Sequence, residues 1–235
     1  MTDLPPIKQA LPRIKQERAM DTVHEALRQA ILSSSLRPGE RLSPGELAAQ
    51  LGVSLMPVRH AIQLLAAEGL VEVRPRSGTF VASVSASEVR ETAEIRCALE
   101  CLAMEKAVHT FSAGDFAEMR RLRDAMTKPP RDDADRRKHE QDNAAFHLLF
   151  IQAAGNAKLL EMYAGLRAHI QIAGIHAGDH DWRSRLAKEA AEHQAIVEAV
   201  EARDVGGAVD AMRRHITRSC DSLAQAVETK NGRPD

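Results

Sequence analysis

The stretch GVSLMPVRHAI, Gly52 to Ile62, has the punctuation of a short turn feeding a helix. Gly52 suits the left-handed position that closes a preceding helix. Ser54 suits an N-cap, and Pro57 falls in the first turn, where its missing N–H costs little. Val58, Ala61, Ile62 and Leu65 recur at helical spacing and make one buried face, which Gly69 ends. Upstream, Ser43 caps a short helix carrying Leu47, Ala48 and Leu51, and LRPGERL breaks the chain before it through Pro38 and Gly39. Farther upstream, Arg18 to about Ser34 sets Val23, Leu27, Ala30 and Ile31 on one helical face. Downstream, LVEVRPRSGTFVA reads as two short strands around a turn at Pro75, Arg76, Ser77 and Gly78.

Two helices joined by a tight, glycine-containing turn form a helix-turn-helix, whose second helix can present its N-terminal turns to the major groove of DNA. A hairpin directly after it is a wing, with Arg76 near the tip. Residues 1–82 hold 10 Lys and Arg against 8 Asp and Glu, while the rest of the chain holds 22 against 25. That weakly basic first part is compatible with a nucleic acid partner without demanding one.

At 235 residues the chain accommodates two domains. Its apolar share of 44% supplies a core, and its aromatic share of 3% makes that core Leu, Ile, Val, Ala and Met. Such a composition points to helices. No apolar run approaches the roughly 20 residues that span a bilayer, so no membrane association is expected. The N-terminal MTDLPPIKQALPRIKQERAM lacks a continuous apolar segment and reads as a flexible arm, not a signal peptide. Three cysteines, Cys97, Cys101 and Cys220, suit a reducing cytoplasm. Cys97 and Cys101 share a helix face and are expected to be buried thiols more than a redox pair.

Beyond ASVSASE, where Ser85 and Glu88 can form a capping box, no strand signal remains. Six helices fit, at roughly 87–111, 115–127, 132–154, 157–174, 183–202 and 205–228, with Asp115 as a candidate cap of the second. The breaks are TKPPRDD, AGN, HAGDHDW and RDVGG. Several polar residues fall where a bundle should be apolar. Asn143 and His147 are four apart and point the same way. His193 shares a face with Ile196, Val197 and Val200, and His215 with Ala208, Ala211 and Met212. A lone inward histidine is commonly a satisfied core residue. Three of them on three helices suit a borderline cation such as Zn²⁺ or Ni²⁺.

Two resemblances give these patterns a function. LxPGExL, ELAxxLGVS, PVRxAIxxLxxEGL and RxGTFV, over roughly residues 18–82, resemble the winged DNA-binding domain of the GntR family of bacterial transcription regulators. The resemblance implies DNA contacts from Ser54 and Arg59, with Arg76 and Ser77 in the wing. It also marks departures: Leu55 stands where relatives usually carry Arg, and His60 where they carry Glu. One arginine–guanine contact per half-site is then missing. Leu55 or Met56 can touch a thymine methyl instead, and His60 can reach phosphate.

Residues 88–228 are similar to the ligand-binding FCD domain of the FadR-type GntR subfamily, through EIRCALECLAMEKA, NAAFHLLFIQAAGN and EHQAIVEAVEARDVGGAVDAMRRHI. The resemblance implies a divalent metal held by Asn143, His147, His193 and His215, with Asn143 in place of an acidic residue. Asp142 lies about 140° round the helix from His147, five steps of ~100°, and is not expected to substitute. Arg96 matches a family arginine facing the effector cavity, where it would hold a small carboxylate bidentately. A salt bridge to Glu100 is its other reading. His139 is expected to be solvated.

The whole is expected to be mainly α: an N-terminal winged helix-turn-helix and a C-terminal all-α six-helix bundle. The parts are an arm at 1–17, the DNA-binding domain at 18–82, a linker at 83–87, the effector and dimerisation domain at 88–228 and a tail at 229–235. The expected protein is a cytoplasmic homodimer on a double-stranded operator, released or engaged by an effector, with repression the commoner direction in the family. The alternative is a metal-dependent enzyme built on the histidine set. Against it, the sequence has no HExxH and no general base placed by spacing.

Overall fold

The computed structural model describes residues 16–33, 35–177 and 182–231. The expected arm and tail fall mostly outside these residues, as does the middle of the HAGDHDW break. The chain divides into two compact units, Met1–Val81 and Ala82–Asp235.

The first unit runs α1 (Gln16–Leu32), β1 (Arg41–Leu42), α2 (Pro44–Leu51), α3 (Leu55–Ala67), β2 (Val71–Arg74) and β3 (Gly78–Val81). The Ser43 hydroxyl accepts from the Glu46 amide and starts α2. Gly52, at φ 64°, closes that helix, and the following Val53 amide donates to Ala48 O at 3.0 Å. Ser54 has the extended backbone of a cap, but its hydroxyl makes no cap hydrogen bond, so the expected side-chain cap is absent. Val23, Leu27, Ile31, Val58, Ala61, Ile62, Leu65, Leu70 and Val81 form the core. The strands make an antiparallel sheet in the order β1-β3-β2, with Val71 opposite Val81 and Arg74 opposite Gly78. β1, expected from the sequence to be part of a turn, pairs Arg41 with Phe80. At Gly78, φ is 128° and an added Cβ would meet Arg41 Nε at 3.0 Å, so both backbone and space require glycine there.

The second unit is a bundle of α4 (Ala86–Thr110), α5 (Ala113–Met126), α6 (Asp133–Ala153), α7 (Ala157–Ala177), α8 (Trp182–Glu201) and α9 (Val205–Asn231). The Ser85–Glu88 capping box starts α4 as expected. The cap of α5 is Ser112, with Asp115 as its reciprocal partner three residues on, so Asp115 is inside the helix and not at its edge. The Ser112 cap begins the helix at Ala113, two residues earlier than the expected start at 115. Met104, Val108, Phe111, Met119, Phe146, Phe150, Ile196, Val200 and Met212 fill the core. Phe111 stacks on Phe150 at 5.4 Å, and Phe146 meets Phe150 edge-on at 5.1 Å. α4 packs on α6, α7 and α9, while α8 packs on α5 and α9. That arrangement brings inward residues of α4, α6, α8 and α9 together.

Candidate DNA interface and metal centre

In the first unit, α3 buries Pro57, Val58, Ala61, Ile62 and Leu65, and thereby turns Leu55, Met56 and Arg59 to solvent. Ser54 is also exposed, while His60 is half-buried with its Nδ1 sheltered and without a protein partner. Arg76 and Ser77 sit in the β2–β3 turn, both exposed, with the Ser77 amide donating to Arg74 O at 3.1 Å. Arg76 holds φ 65°, a left-handed conformation that a side chain disfavours, so the turn presents this residue at some backbone cost. Two basic residues of this unit are paired: Arg28 bonds Glu68, and Arg74 bonds Glu72 and lies over the Phe80 ring. Among the described residues, Arg59 and Arg76 have no carboxylate partner.

In the second unit, His147 from α6, His193 from α8 and His215 from α9 converge, with one nitrogen of each within 4.8 Å of the others. All three are at most 2% exposed. His193 and His215 have ring centroids 4.5 Å apart, and His147 and His215 5.1 Å apart. Two carboxylates orient the set from behind. Glu100 Oε2, fully buried on α4, bonds His147 Nδ1 at 2.6 Å. Glu192 Oε2 bonds His215 Nδ1 at 2.8 Å. Such carboxylate–imidazole pairs fix the tautomer and leave Nε2 as the donor toward a cation. His147 Nε2 and both ring nitrogens of His193 are buried with no protein partner, as is Asn143 Oδ1 one turn before His147.

The carboxylates have their own partners. Arg96 Nε donates to Glu100 Oε1 at 2.6 Å, and the Tyr163 hydroxyl donates to the same oxygen at 3.0 Å. Arg218 grips Glu192 through Nε and Nη2. Burial alone would raise the Glu100 carboxyl, but the Arg96 charge beside it and the hydrogen bond with His147 hold it well below the usual carboxylate range. Burial pushes His147 down to about 4 and His193 well below the usual imidazole range. At neutral pH these are therefore uncharged imidazoles, the form that binds metal. The donor set, its orphaned nitrogens and its carboxylate supports fit a divalent cation.

This burial has a pH consequence for the metal-free protein. The unfolded chain protonates these imidazoles near 6.5, whereas folded His147 resists until about 4. Between those values the unfolded state binds more protons, so stability is full above about 6.5 and falls as pH drops toward 4. Urea unfolding in EDTA at pH 7 and pH 5 is expected to show the lower midpoint at pH 5; equal midpoints would contradict the buried neutral state.

Of the residues expected here, the three histidines converge and Asn143 turns a sheltered oxygen inward. Arg96 is a partner of Glu100 and also lines a small cavity of ≈ 30 Å³ with Val89, Ala93, His169, Ile216 and Leu223. Asp142 is buried and held by Lys138 at 2.6 Å, away from the set, as its helix angle required. His139 is not solvated: its side chain is 11% exposed, with Nε2 at 3.9 Å from Glu189 Oε2. Cys101 is buried, Cys97 only half-buried, and their sulfurs lie 3.9 Å apart. Sequence reasoning missed the roles of Tyr163, Glu192 and Arg218, and saw in Glu100 only a partner for Arg96. Both supporting carboxylates are already hydrogen-bonded, Glu100 to Arg96, Tyr163 and His147, and Glu192 to His215 and Arg218.

Comparison with known proteins agrees with both units. A family model described as the gntR family of bacterial regulatory proteins matches residues 19–81, and one described as the FCD domain matches residues 91–218. The chain is 34% identical over 204 residues to an HTH-type transcriptional regulator from an unstable DNA locus of Streptomyces ambofaciens, covering 86% of this chain and 83% of that protein. It is 27% identical over 207 residues to the HTH-type transcriptional repressor RspR of Escherichia coli, covering 86% and 88%. The solved structure of E. coli McbR/YncC superposes with a TM-score of 0.72 at 24% identity, over 88% of this chain and 97% of that one.

Proposed function

The chain belongs to the GntR family of bacterial transcription regulators, with an FCD domain behind its DNA-binding domain, and we propose that it is an effector-responsive repressor with a metal-dependent sensing site. The observation that carries the sensing site is the convergence of buried His147, His193 and His215, with His147 Nε2 and both His193 ring nitrogens left without a protein partner. Asn143 Oδ1 would complete the set. A divalent ion there would supply positive charge and open coordination positions for a carboxylate oxygen. The chain's own residues do the positioning: Glu100 and Glu192 orient two imidazoles, and Arg96 and Arg218 neutralise those carboxylates.

A small carboxylate effector would enter beside Arg96. Because Arg96 already serves Glu100, the effector would share the guanidinium instead of finding it free. The adjoining cavity of ≈ 30 Å³ holds only a water or two, so binding must open the bundle. Opening between α4, α7 and α9 is a movement that a second domain can sense. The repressor direction is supported by the name of the RspR relative.

Dimerisation is supported by the apolar residues left outside. Ile95 and Leu102, seven apart on α4 and so on one face, are 50% and 40% exposed. A paired bundle would cover them and set two DNA-binding units on a two-fold operator. The membrane plays no part in this reading, and no described helix is long and apolar enough to cross one.

The test is fluorescence anisotropy on duplex DNA from the gene's own upstream region and on scrambled DNA, across a salt series. A steep salt slope with preference for the native duplex supports the repressor; no binding by a folded protein rejects it. Loss of binding on adding Zn²⁺ with small carboxylates, and not with either alone, supports the sensing site. Within this reading, Arg76→Gly has a defined result. Thermal stability stays within about 1 kcal/mol, because relief of the left-handed strain offsets the freer unfolded glycine. DNA affinity falls roughly tenfold from loss of the wing cation. A large fall in melting temperature, or unchanged DNA affinity, would remove Arg76 from the interface.

A further inference from the structure

We infer that Leu55 and Met56 read thymine methyl groups, so that each operator half-site carries A·T pairs under the first turn of α3. This inference rests on the DNA-binding reading. Scattered apolar side chains on a surface are ordinary; what distinguishes these two is their place. Met56 is 61% exposed and Leu55 36% exposed, adjacent in the first turn of a helix whose opposite side is fixed in the core by Val58, Ala61, Ile62 and Leu65. No acidic residue stands in that turn, and Arg59, one turn on from Met56, has no carboxylate partner among the described residues. The result is an apolar tip flanked by an available cation, on the edge that faces a groove in this type of domain.

The chemistry of base edges then decides the occupant. In the major groove, the C5 methyl of thymine is the apolar group; the other groups there are hydrogen-bond donors and acceptors. An isobutyl or thioether side chain pressed on a guanine or cytosine edge would dry those groups without pairing them, which is unfavourable. Pressed on a thymine, it covers a methyl at no such cost. Arg59 remains free for a phosphate or for a guanine beside the thymine, and it fixes the register in which the apolar pair lands.

Selection of duplexes from a randomised library with the full-length protein yields the operator sequence directly. Each thymine in the selected half-site is then replaced by deoxyuridine, which keeps pairing and removes only the methyl. Affinity is expected to fall about fourfold at each of one or two thymines, the factor for one buried carbon, and to stay level at the others. Leu55→Ala with Met56→Ala, exposed positions where the fold is not at risk, is expected to bind thymine and uracil duplexes equally. Leu55→Arg is expected to shift the selected base toward guanine. Selected sites whose affinity is indifferent to every methyl, or in which the double variant keeps the full methyl effect, would overturn the inference and leave the regulator standing. A library with no enriched sequence would overturn both.

Discussion

Replacing Glu100 by glutamine is expected to lower the stability of the helical unit by about 3–5 kcal/mol, the usual cost of removing one partner from a buried ion pair. Glu100 is fully buried and sits between Arg96, His147 and the Tyr163 hydroxyl. Glutamine keeps the shape and one carbonyl oxygen, but it leaves the Arg96 guanidinium, only 12% exposed, without its counter-charge. For a unit of this size the loss corresponds to a fall in melting temperature of roughly 6–20 °C. The measurement is urea and thermal unfolding of the metal-free protein. Arg96→Met combined with Glu100→Gln removes both charges, so the pair should cost less than the single change. A single-variant loss below about 1 kcal/mol would mean that the pair is not the anchor it resembles. If the chain folds, its affinity for Zn²⁺ should also drop by about 10–100-fold, the range for losing a carboxylate behind a ligating histidine.

The dependence of so much on Glu100 shows where a one-dimensional reading runs out. The first unit was legible because its signals are local. Pro38, Gly39, Ser43, Gly52, Gly69 and Gly78 each mark a turn or cap by backbone chemistry alone, and the alternation of Val71, Val73 and Thr79 to Val81 marks the hairpin. Only β1 escaped, because two residues are too few to show a period. The six bundle helices also followed from period and breaks, with end errors of one to three residues where capping is ambiguous, as at Ser112 and Asp115. The histidines stood out as polar residues on apolar faces, yet nothing in helical spacing said that three helices turn them to one point; that came from the resemblance. Glu100 signalled only Arg96, one turn before it, and Tyr163 and Glu192 carried no signal at all. Their partners lie 47, 63 and 23 residues away in sequence, across helix contacts that periodicity does not encode. His139 was misread for the same reason: its shelter comes from α8 through Glu189, not from its own helix.

Replacing His193 by leucine separates a sensing site from a structural one. A histidine kept for the fold would cost stability when lost. His193 has neither ring nitrogen bonded to protein, although it is 1% exposed and lies 4.9 Å from the Phe146 ring. Burying two unsatisfied nitrogens is unfavourable, and leucine fills a similar volume without them. The metal-free variant is therefore expected to be as stable as the parent or more so, within about 1 kcal/mol. Metal binding should behave in the opposite way. Binding free energies of roughly 10–16 kcal/mol for well-formed zinc sites, shared over four ligands, put the loss of one at about 10²–10³-fold in affinity. Competition against a chromogenic zinc chelator reads that loss, and unfolding in EDTA reads the stability. Asn143→Asp should move affinity upward, because a carboxylate oxygen replaces a neutral one beside the same histidines. Unchanged zinc affinity with lowered stability would make His193 a packing residue and leave His147 and His215 as two carboxylate-bound core histidines. Preserved stability with lost zinc means that the fold tolerates the buried nitrogens for the sake of the ion they receive.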